Sequence, residues 1–284
     1  ENKLFYRMAN NMHTLTRDSV IERELLFKVG DRYDPALVAE TERNLRRLPF
    51  IRRAEAAAMI NPDGAVDVLV RTYDSWTLEV VASFKRAGGQ TSGSAGLTDH
   101  NLMGYGKTLS AVYRRHGTSN SQTFGCRDPQ FLGKEHLVYA MRAESAPDSR
   151  LYSLSLDRPF FASIARTALG STFRYGEYTS TDYSGRAGAS PFRARVIESG
   201  LTYGVTLATS TERARHVTFG VLGHRTDYSG IPGLSSGPDP DHRHLGFLQL
   251  SGDWEELDFI KVHRIQKFTH AEDYNLGLGV FPSV

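Results

Sequence analysis

The stretch Leu201-Thr202-Tyr203-Gly204-Val205-Thr206-Leu207 carries an apolar residue at every odd position and a small or polar one at every even position. A period of two is the period of a β-strand, so Leu201, Tyr203, Val205 and Leu207 share one face. The alternation returns in Leu109/Ala111/Tyr113, Leu137/Tyr139/Met141, Tyr152/Leu154/Leu156, Val217/Phe219/Val221 and Tyr274/Leu276/Leu278/Val280, and no apolar run of helix length occurs. A soluble sandwich also alternates, because one face of each sheet meets water. The opposite row separates the two cases: it is Gly, Ser, Thr, Arg and Glu with few large side chains, which suits a wet lumen better than a packed layer. With strands recurring about every ten residues and tyrosines near their ends, the pattern predicts an antiparallel transmembrane β-barrel.

The strands fall near residues 76–85, 91–101, 107–116, 120–128, 136–145, 149–158, 167–178, 194–208, 213–227, 242–257 and 269–281, eleven in all. Their connections alternate in kind. Compact turns such as Gly104-Tyr105-Gly106 and Arg158-Pro159 lie on one side, and the longer stretches Ser180 to Phe192 and Tyr228 to Asp241 lie on the other, which is the asymmetry of a bacterial barrel.

Composition narrows the function classes. With 34 basic and 32 acidic residues, a formal charge of +2 and the basic residues scattered, nothing marks a nucleic-acid footprint. The lone cysteine, Cys126, excludes an internal disulfide and a cysteine-based zinc site, and reads as a small strand residue. A mean hydropathy of −0.38 excludes helical spans only, because alternating strands average out. No signal-peptide pattern opens the chain at Glu1, so any such segment is expected to have been removed or left out.

Before Trp76 the pattern is different. Thr16 is placed to cap a helix through Ile21, Leu25 and Leu26 that ends at Gly30-Asp31. Asp34-Pro35 opens a second helix that presents Leu37, Thr41, Leu45 and Leu48 before Pro49 stops it. Ala54 to Ile60 and Ala65 to Val70 flank Asn61-Pro62-Asp63-Gly64, a hairpin turn by composition. With Leu4 to Met8 as a leading strand the order is β-α-α-β-β, a three-stranded sheet carrying two helices.

That order resembles a POTRA (polypeptide-transport-associated) domain. Asn11-Met-His13-Thr-Leu-Thr16, Val20 to Phe27, Gly30-Asp31-Arg-Tyr33-Asp34, Glu40 to Arg46 and Asp74-Ser-Trp76-Thr77-Leu78 are similar to the last POTRA domain and barrel entry of bacterial surface-antigen proteins in the BamA/TamA-like outer-membrane assembly superfamily. Asn101-Leu-Met-Gly104-Tyr-Gly106-Lys107 resembles that family's first periplasmic hairpin. Asp128-Pro129-Gln-Phe131-Leu-Gly133, Arg158-Pro159-Phe160-Phe161 and Glu272-Asp273-Tyr274-Asn275-Leu276-Gly277 follow in the family's order. The resemblance implies a periplasmic POTRA-like domain over residues 1–74 and the N-terminal part of an outer-membrane barrel over residues 75–284. It also implies about sixteen strands, so the expectation is a fragment truncated at about eleven of them. The family's inward-folded loop with a Val-Arg-Gly-Phe/Tyr signature is not among these residues, and such a fragment is not expected to close on its own, since an open edge leaves backbone polar groups unpaired in lipid.

Candidate catalytic and metal residues do not converge. Gly233-Leu-Ser235-Ser-Gly237 matches a nucleophile elbow but sits among Pro232, Pro238 and Pro240 rather than at a strand-to-helix turn. Asp239, Asp241, His242 and His244 lie in a loop with no scaffold to fix ligand geometry. Ser251, Asp253 and His263 could furnish a hydrolase, but nothing in their spacing requires it. No catalytic, cofactor-binding or metal site is therefore assigned, and no cofactor is expected. Glu79, Arg114, Arg142, Arg174 and Glu198 are expected to line the lumen and pair across strands. His13, Glu40, Glu42, Arg43 and Arg46 fall in the POTRA-like motif, where helix packing and partner contact both remain open.

The resemblance implies a non-enzymatic outer-membrane protein that assists insertion or translocation of proteins or lipids. Its partners would be outer-membrane lipids, unfolded barrel or secreted polypeptide clients, and periplasmic or membrane proteins reached through the POTRA-like domain, with no nucleic acid. The means would be strand addition at a POTRA edge and a lateral seam whose first strand is Trp76 to Phe84. A passive channel and a barrel-borne hydrolase are the alternatives.

Overall fold

The computed structural model describes residues 14–182, 190–210, 212–234, 241–263 and 271–283. Helices α1 (Asp18–Glu22) and α2 (Pro35–Arg47) precede a hairpin of β1 (Ile51–Ile60) and β2 (Val66–Asp74). Ten long strands follow: β3 (Leu78–Ala87), β4 (Gln90–Asp99), β5 (Thr108–His116), β6 (Ser119–Asp128), β7 (Val138–Ala146), β8 (Ser149–Arg158), β9 (Thr167–Asp182), β10 (Ser190–Thr209), β11 (Arg213–Gly230) and β12 (Arg243–Glu256). A short hairpin of β13 (Phe259–His263) and β14 (Ala271–Asn275) comes next, then the two-residue β15 (Gly279–Val280). β3 to β12 pair with their sequence neighbours in one antiparallel sheet, with β15 added to the outer edge of β12, making eleven strands. Among the described residues the sheet does not close: β3 and β15 stand at its two ends.

The first ten barrel strands start and stop within a few residues of the expected positions, and two differences follow from backbone pairing. β9, β10 and β11 run to 16, 20 and 18 residues, against nine or ten for β3 to β8, so they extend into stretches that periodicity assigns to loops. Register continues through Arg193↔Thr179 and Asp182↔Ser190 although the apolar alternation has ended. A ladder needs only paired N–H and C=O groups, and polar side chains above the apolar band do not interrupt it. The expected eleventh strand, 269–281, is corrected. Its residues divide between β14, which pairs with β13 in a separate hairpin, and β15, which meets only Trp254 and Glu255 of β12. The Tyr274/Leu276/Leu278/Val280 alternation is thus broken around Gly277, where a Cβ would run into the Glu256 carbonyl.

In the αβ unit, Asp34 caps α2 by accepting the Ala36 N–H at 2.8 Å, with Pro35 at the first helical position as expected. The buried stripe is Val38, Thr41, Asn44 and Leu45, and Leu37 lies beside it. α1 is shorter than expected, and Thr16 does not cap it. The Thr16 hydroxyl accepts from Asn101, and its N–H donates to Asp74. At the end of the helix the Val20 carbonyl accepts the Gln130 amide at 2.9 Å, and the Glu24 N–H turns back to the Ile21 carbonyl. β1 and β2 form the expected hairpin around Asn61 to Gly64; the expected strand Leu4 to Met8 lies outside the described residues.

Fully buried apolar residues gather in this unit, where Val20, Leu45, Phe50, Ile51 and Ala54 form a core flanked by Ile21, Leu25, Leu48 and Val70. Within β3 to β12 the described buried apolar residues are only the alanines Ala194 and Ala214. The large sheet therefore has no conventional core on either face.

Candidate membrane face and docking surface

Residues paired across neighbouring strands point to the same side of a sheet. One transverse row reads Val80, Leu97, Ala111, Phe124, Ala143, Tyr152, Tyr175 and Ile197, and reaches Arg225 on β11. The rows beside it carry Leu154 and Phe173, then Leu169, Tyr203, Phe219 and Leu250. Along each long strand this apolar face ends in charge: Val205, Tyr203, Leu201, Ser199 and Ile197 give way to Arg195 and Arg193 on β10, and Val217, Phe219 and Val221 to Arg225 and Asp227 on β11. Tyr152 and Tyr175, with ring centroids 6.1 Å apart, lie just below that limit.

The opposite face is polar. Its central row reads Glu79, Thr98, Ser110, Gly125, Arg142, Ser153, Arg174, Glu198 and His224. Four of the five expected lumen charges therefore fall on one row, and Arg114 stands on the same face. Arg174 Nη1 donates to Glu198 Oε2 at 2.7 Å, His224 Nδ1 lies 3.2 Å from the other Glu198 oxygen, Arg142 pairs with Glu144, and Arg114 donates to Thr123. The exposure of the two faces is inverted relative to a water-soluble sheet. Along β8, Tyr152, Leu154 and Leu156 are exposed while Ser153 and Ser155 are partly shielded, and Leu201 is 65% exposed.

The αβ unit docks on the short-turn end through polar contacts. Asn101 donates to the Thr16 hydroxyl at 2.8 Å and accepts the Gly106 N–H at 2.7 Å, and Arg17 N–H bonds the Gly104 carbonyl. Gly106 has φ +67°, and a Cβ there would stand 2.9 Å from the Phe50 ring and 3.1 Å from Val20. Gly106→Ala is expected to cost roughly 1–3 kcal/mol through the left-handed backbone and this contact. Faster proteolysis of the αβ unit with the sheet intact is the readout; unchanged proteolysis contradicts the packing.

The next turn contributes Gln130, whose amide reaches Val20 and Glu24 Oε1 at 2.7 Å, and His136, whose Nδ1 lies 3.5 Å from Glu24 Oε2 and whose ring stacks on Phe161 at 3.8 Å. Burial holds the Glu24 carboxyl above the usual carboxylate range and the His136 imidazole below the usual histidine range. The signs differ. The folded state prefers neutral His136, so its contribution is complete above the ordinary histidine value and is lost as pH falls through it. Protonated Glu24 is preferred, so its penalty is relieved as pH falls toward the ordinary carboxylate value. Acidification is expected to act on this contact in two opposed ways, a loss from His136 and a gain from Glu24, followed by hydrogen exchange at residues 130–136. His136→Asn should remove the loss and Glu24→Gln the gain, shifting the pH profile in opposite directions; profiles unchanged by both substitutions contradict this.

α2 supplies the remaining contacts. Glu40 accepts the Ser163 N–H at 2.8 Å, and Asn44 donates to the Phe161 carbonyl. Arg46 grips Asp273 of β14 with two bonds of 2.7 Å, the side chains being 5% and 7% exposed, and also pairs with Glu42. Burial alone would lower the Arg46 pKa, but Asp273 and Glu42 together raise it; burial lowers that of Arg43, which lies over the Phe259 ring. Four of the five POTRA-motif residues, Glu40, Glu42, Arg43 and Arg46, therefore make contacts within the chain, and His13 lies outside the described residues. Apart from the Glu42–Arg46 pair, four residues apart, the partners named for Glu40, Arg43 and Arg46 lie at least 123 residues away and carry no local spacing signal.

Of the hydrolase candidates, Ser251 and Asp253 stand on the polar face of β12, opposite Thr218 and His216. Ser235 lies outside the described residues, as does the His263 side chain. His242 and His244 flank Asp227 at 3.7 and 3.5 Å, and no group of three or more potential ligands converges among the described residues.

No protein-family model matches the chain, and no curated protein matches it. Among solved structures it is similar to BamA from Haemophilus ducreyi lacking POTRA domains 1–3, at 17% identity over 88% of this chain and 43% of that one, with a TM-score of 0.37. It is also similar to CdiB from Acinetobacter baumannii, at 12% identity over 94% of this chain and 45% of that one, with a TM-score of 0.48. The chain spans less than half the length of each.

Proposed function

We propose that the chain is part of an outer-membrane protein of the BamA/TamA-like superfamily, with its apolar face in lipid and its POTRA-like unit, residues 1–74, in the periplasm beneath the short turns. The observation that carries this reading is the inverted exposure of the sheet, with apolar side chains such as Tyr152, Leu154 and Leu156 outward and the serines between them part-shielded on the face that holds the Arg174–Glu198 pair. Hydrocarbon stabilises such a face, whereas water does not. The groove beside β2, lined by Val66, Val68, Val70, Leu25, Phe27 and Leu37, suits a further strand and supports the POTRA-like reading.

The role is to assist insertion or translocation of polypeptides, without cofactor or covalent chemistry. β3 pairs on one side with β4, and its other edge meets no strand among the described residues. Such an edge presents main-chain donors and acceptors that a client strand can take up largely regardless of its sequence. With Cys126 replaced and a thiol oxidant added, single cysteines along β3 are expected to form disulfides with a cysteine placed in an extended barrel-protein segment, at alternate positions, during its assembly in vesicles. Steady ion conductance without any client crosslink would favour a passive channel instead.

A further inference from the structure

Two short turns share one construction. Asp99 Oδ1 accepts the Asn101 N–H at 2.9 Å, and Asp128 Oδ1 accepts the Gln130 N–H at 3.0 Å. Three-residue helices follow, Leu102–Gly104 and Phe131–Gly133, and each first residue donates back to the returning strand, Leu102 to the Lys107 carbonyl and Phe131 to the Leu137 carbonyl. The middle residue of each is left-handed without being glycine: Met103 has φ 53°, ψ 25°, and Leu132 has φ 56°, ψ 26°. Large side chains rarely accept this backbone, which Gly or Asn would hold with less strain. Both side chains are nevertheless exposed, Met103 by 65% and Leu132 by 77%.

Each turn thus has two sides. Asn101 and Gln130 reach the αβ unit and the Met103 carbonyl accepts from Arg17 Nε at 3.4 Å, while the Met103 and Leu132 residues stay 65% and 77% exposed. Leu132 follows Phe131, which stacks at 4.8 Å on Tyr139 of the apolar face, so the second turn continues that face. The exposed Lys134 comes two residues later. Apolar side chains beside a lysine suit the boundary between acyl chains and phosphate headgroups.

The geometry points to Met103 and Leu132 as a pair of interfacial anchors that enter the periplasmic-side headgroup layer and fix the depth of the sheet. This rests on the membrane reading above. It is tested on the full protein in phospholipid vesicles, with Cys126→Ala as background and an environment-sensitive fluorophore on Met103→Cys or Leu132→Cys. Leu201→Cys serves as the band control and Val29→Cys, fully exposed on the αβ unit, as the aqueous control. Labels at 103 and 132 are expected to be blue-shifted relative to 29, protected from iodide, and quenched best by lipids brominated near the headgroup.

Iodide access equal to that of position 29, with position 201 lipid-quenched, overturns the anchors and leaves the membrane reading intact. Iodide access at 201 as well removes both. Protection at 103 and 132 without lipid quenching assigns them to a protein contact and also overturns the proposal. Met103→Asn with Leu132→Asn gives a second readout. The pair is expected to lower insertion yield into vesicles without lowering the fraction folded in detergent, and an unchanged yield contradicts the assignment.

Discussion

An arginine in place of Phe219 is expected to abolish stable insertion, while an arginine at the adjacent Thr218 is expected to be tolerated. Phe219 sits within the apolar column of β11, between Tyr203 and Leu250, and is 55% exposed. A guanidinium on a lipid-facing site deep in a bilayer costs about 2–4 kcal/mol, falling toward the interfaces. That corresponds to roughly thirty- to a thousandfold in the folding equilibrium. Thr218 points to the face that already holds Arg174, Glu198 and His224, where water and counter-charges are available. Urea titrations of the vesicle-inserted variants measure the difference. Equal cost at 218 and 219 would mean that the two faces meet the same medium.

The second large effect concerns the αβ unit. Arg46→Met leaves Asp273 buried with its bidentate partner gone, and such half-removed pairs cost about 3–5 kcal/mol. The β13–β14 hairpin should detach from α2, read as loss of hydrogen-exchange protection at residues 271–275 while β9 to β11 keep theirs. Arg46→Lys should recover only part of the protection, because an ammonium cannot bridge both carboxylate oxygens in the plane that Arg46 uses. Replacing both partners by apolar residues should recover more than Arg46→Met alone. Unchanged protection in Arg46→Met would show that the hairpin is held by Phe259 and its neighbours instead.

The faces of the sheet were legible because side-chain alternation and strand pairing obey the same period. Leu201, Tyr203 and Val205 fall on one side by sequence, and their partners Ser171, Leu169 and Thr167 on β9 join them by register. Glu79, Arg142, Arg174 and Glu198 were equally readable, since each alternates with an apolar neighbour. What escaped was set by distant partners. Gln130 bonds the Val20 carbonyl at the end of α1 across 110 residues, and no local pattern announces that. Asp273 reads as a strand or turn residue until Arg46 meets it. The left-handed Met103 and Leu132 were also hidden, because their residue types argue against that backbone.

The decisive measurement is photolabelling of the vesicle-inserted protein by a phospholipid with a diazirine in its acyl chain, read residue by residue along 201–206. Labelling at Leu201, Tyr203 and Val205 with little at Thr202, Gly204 and Thr206 is the predicted result. Labelling of neither set, or of both alike, would contradict a lipid-covered apolar face.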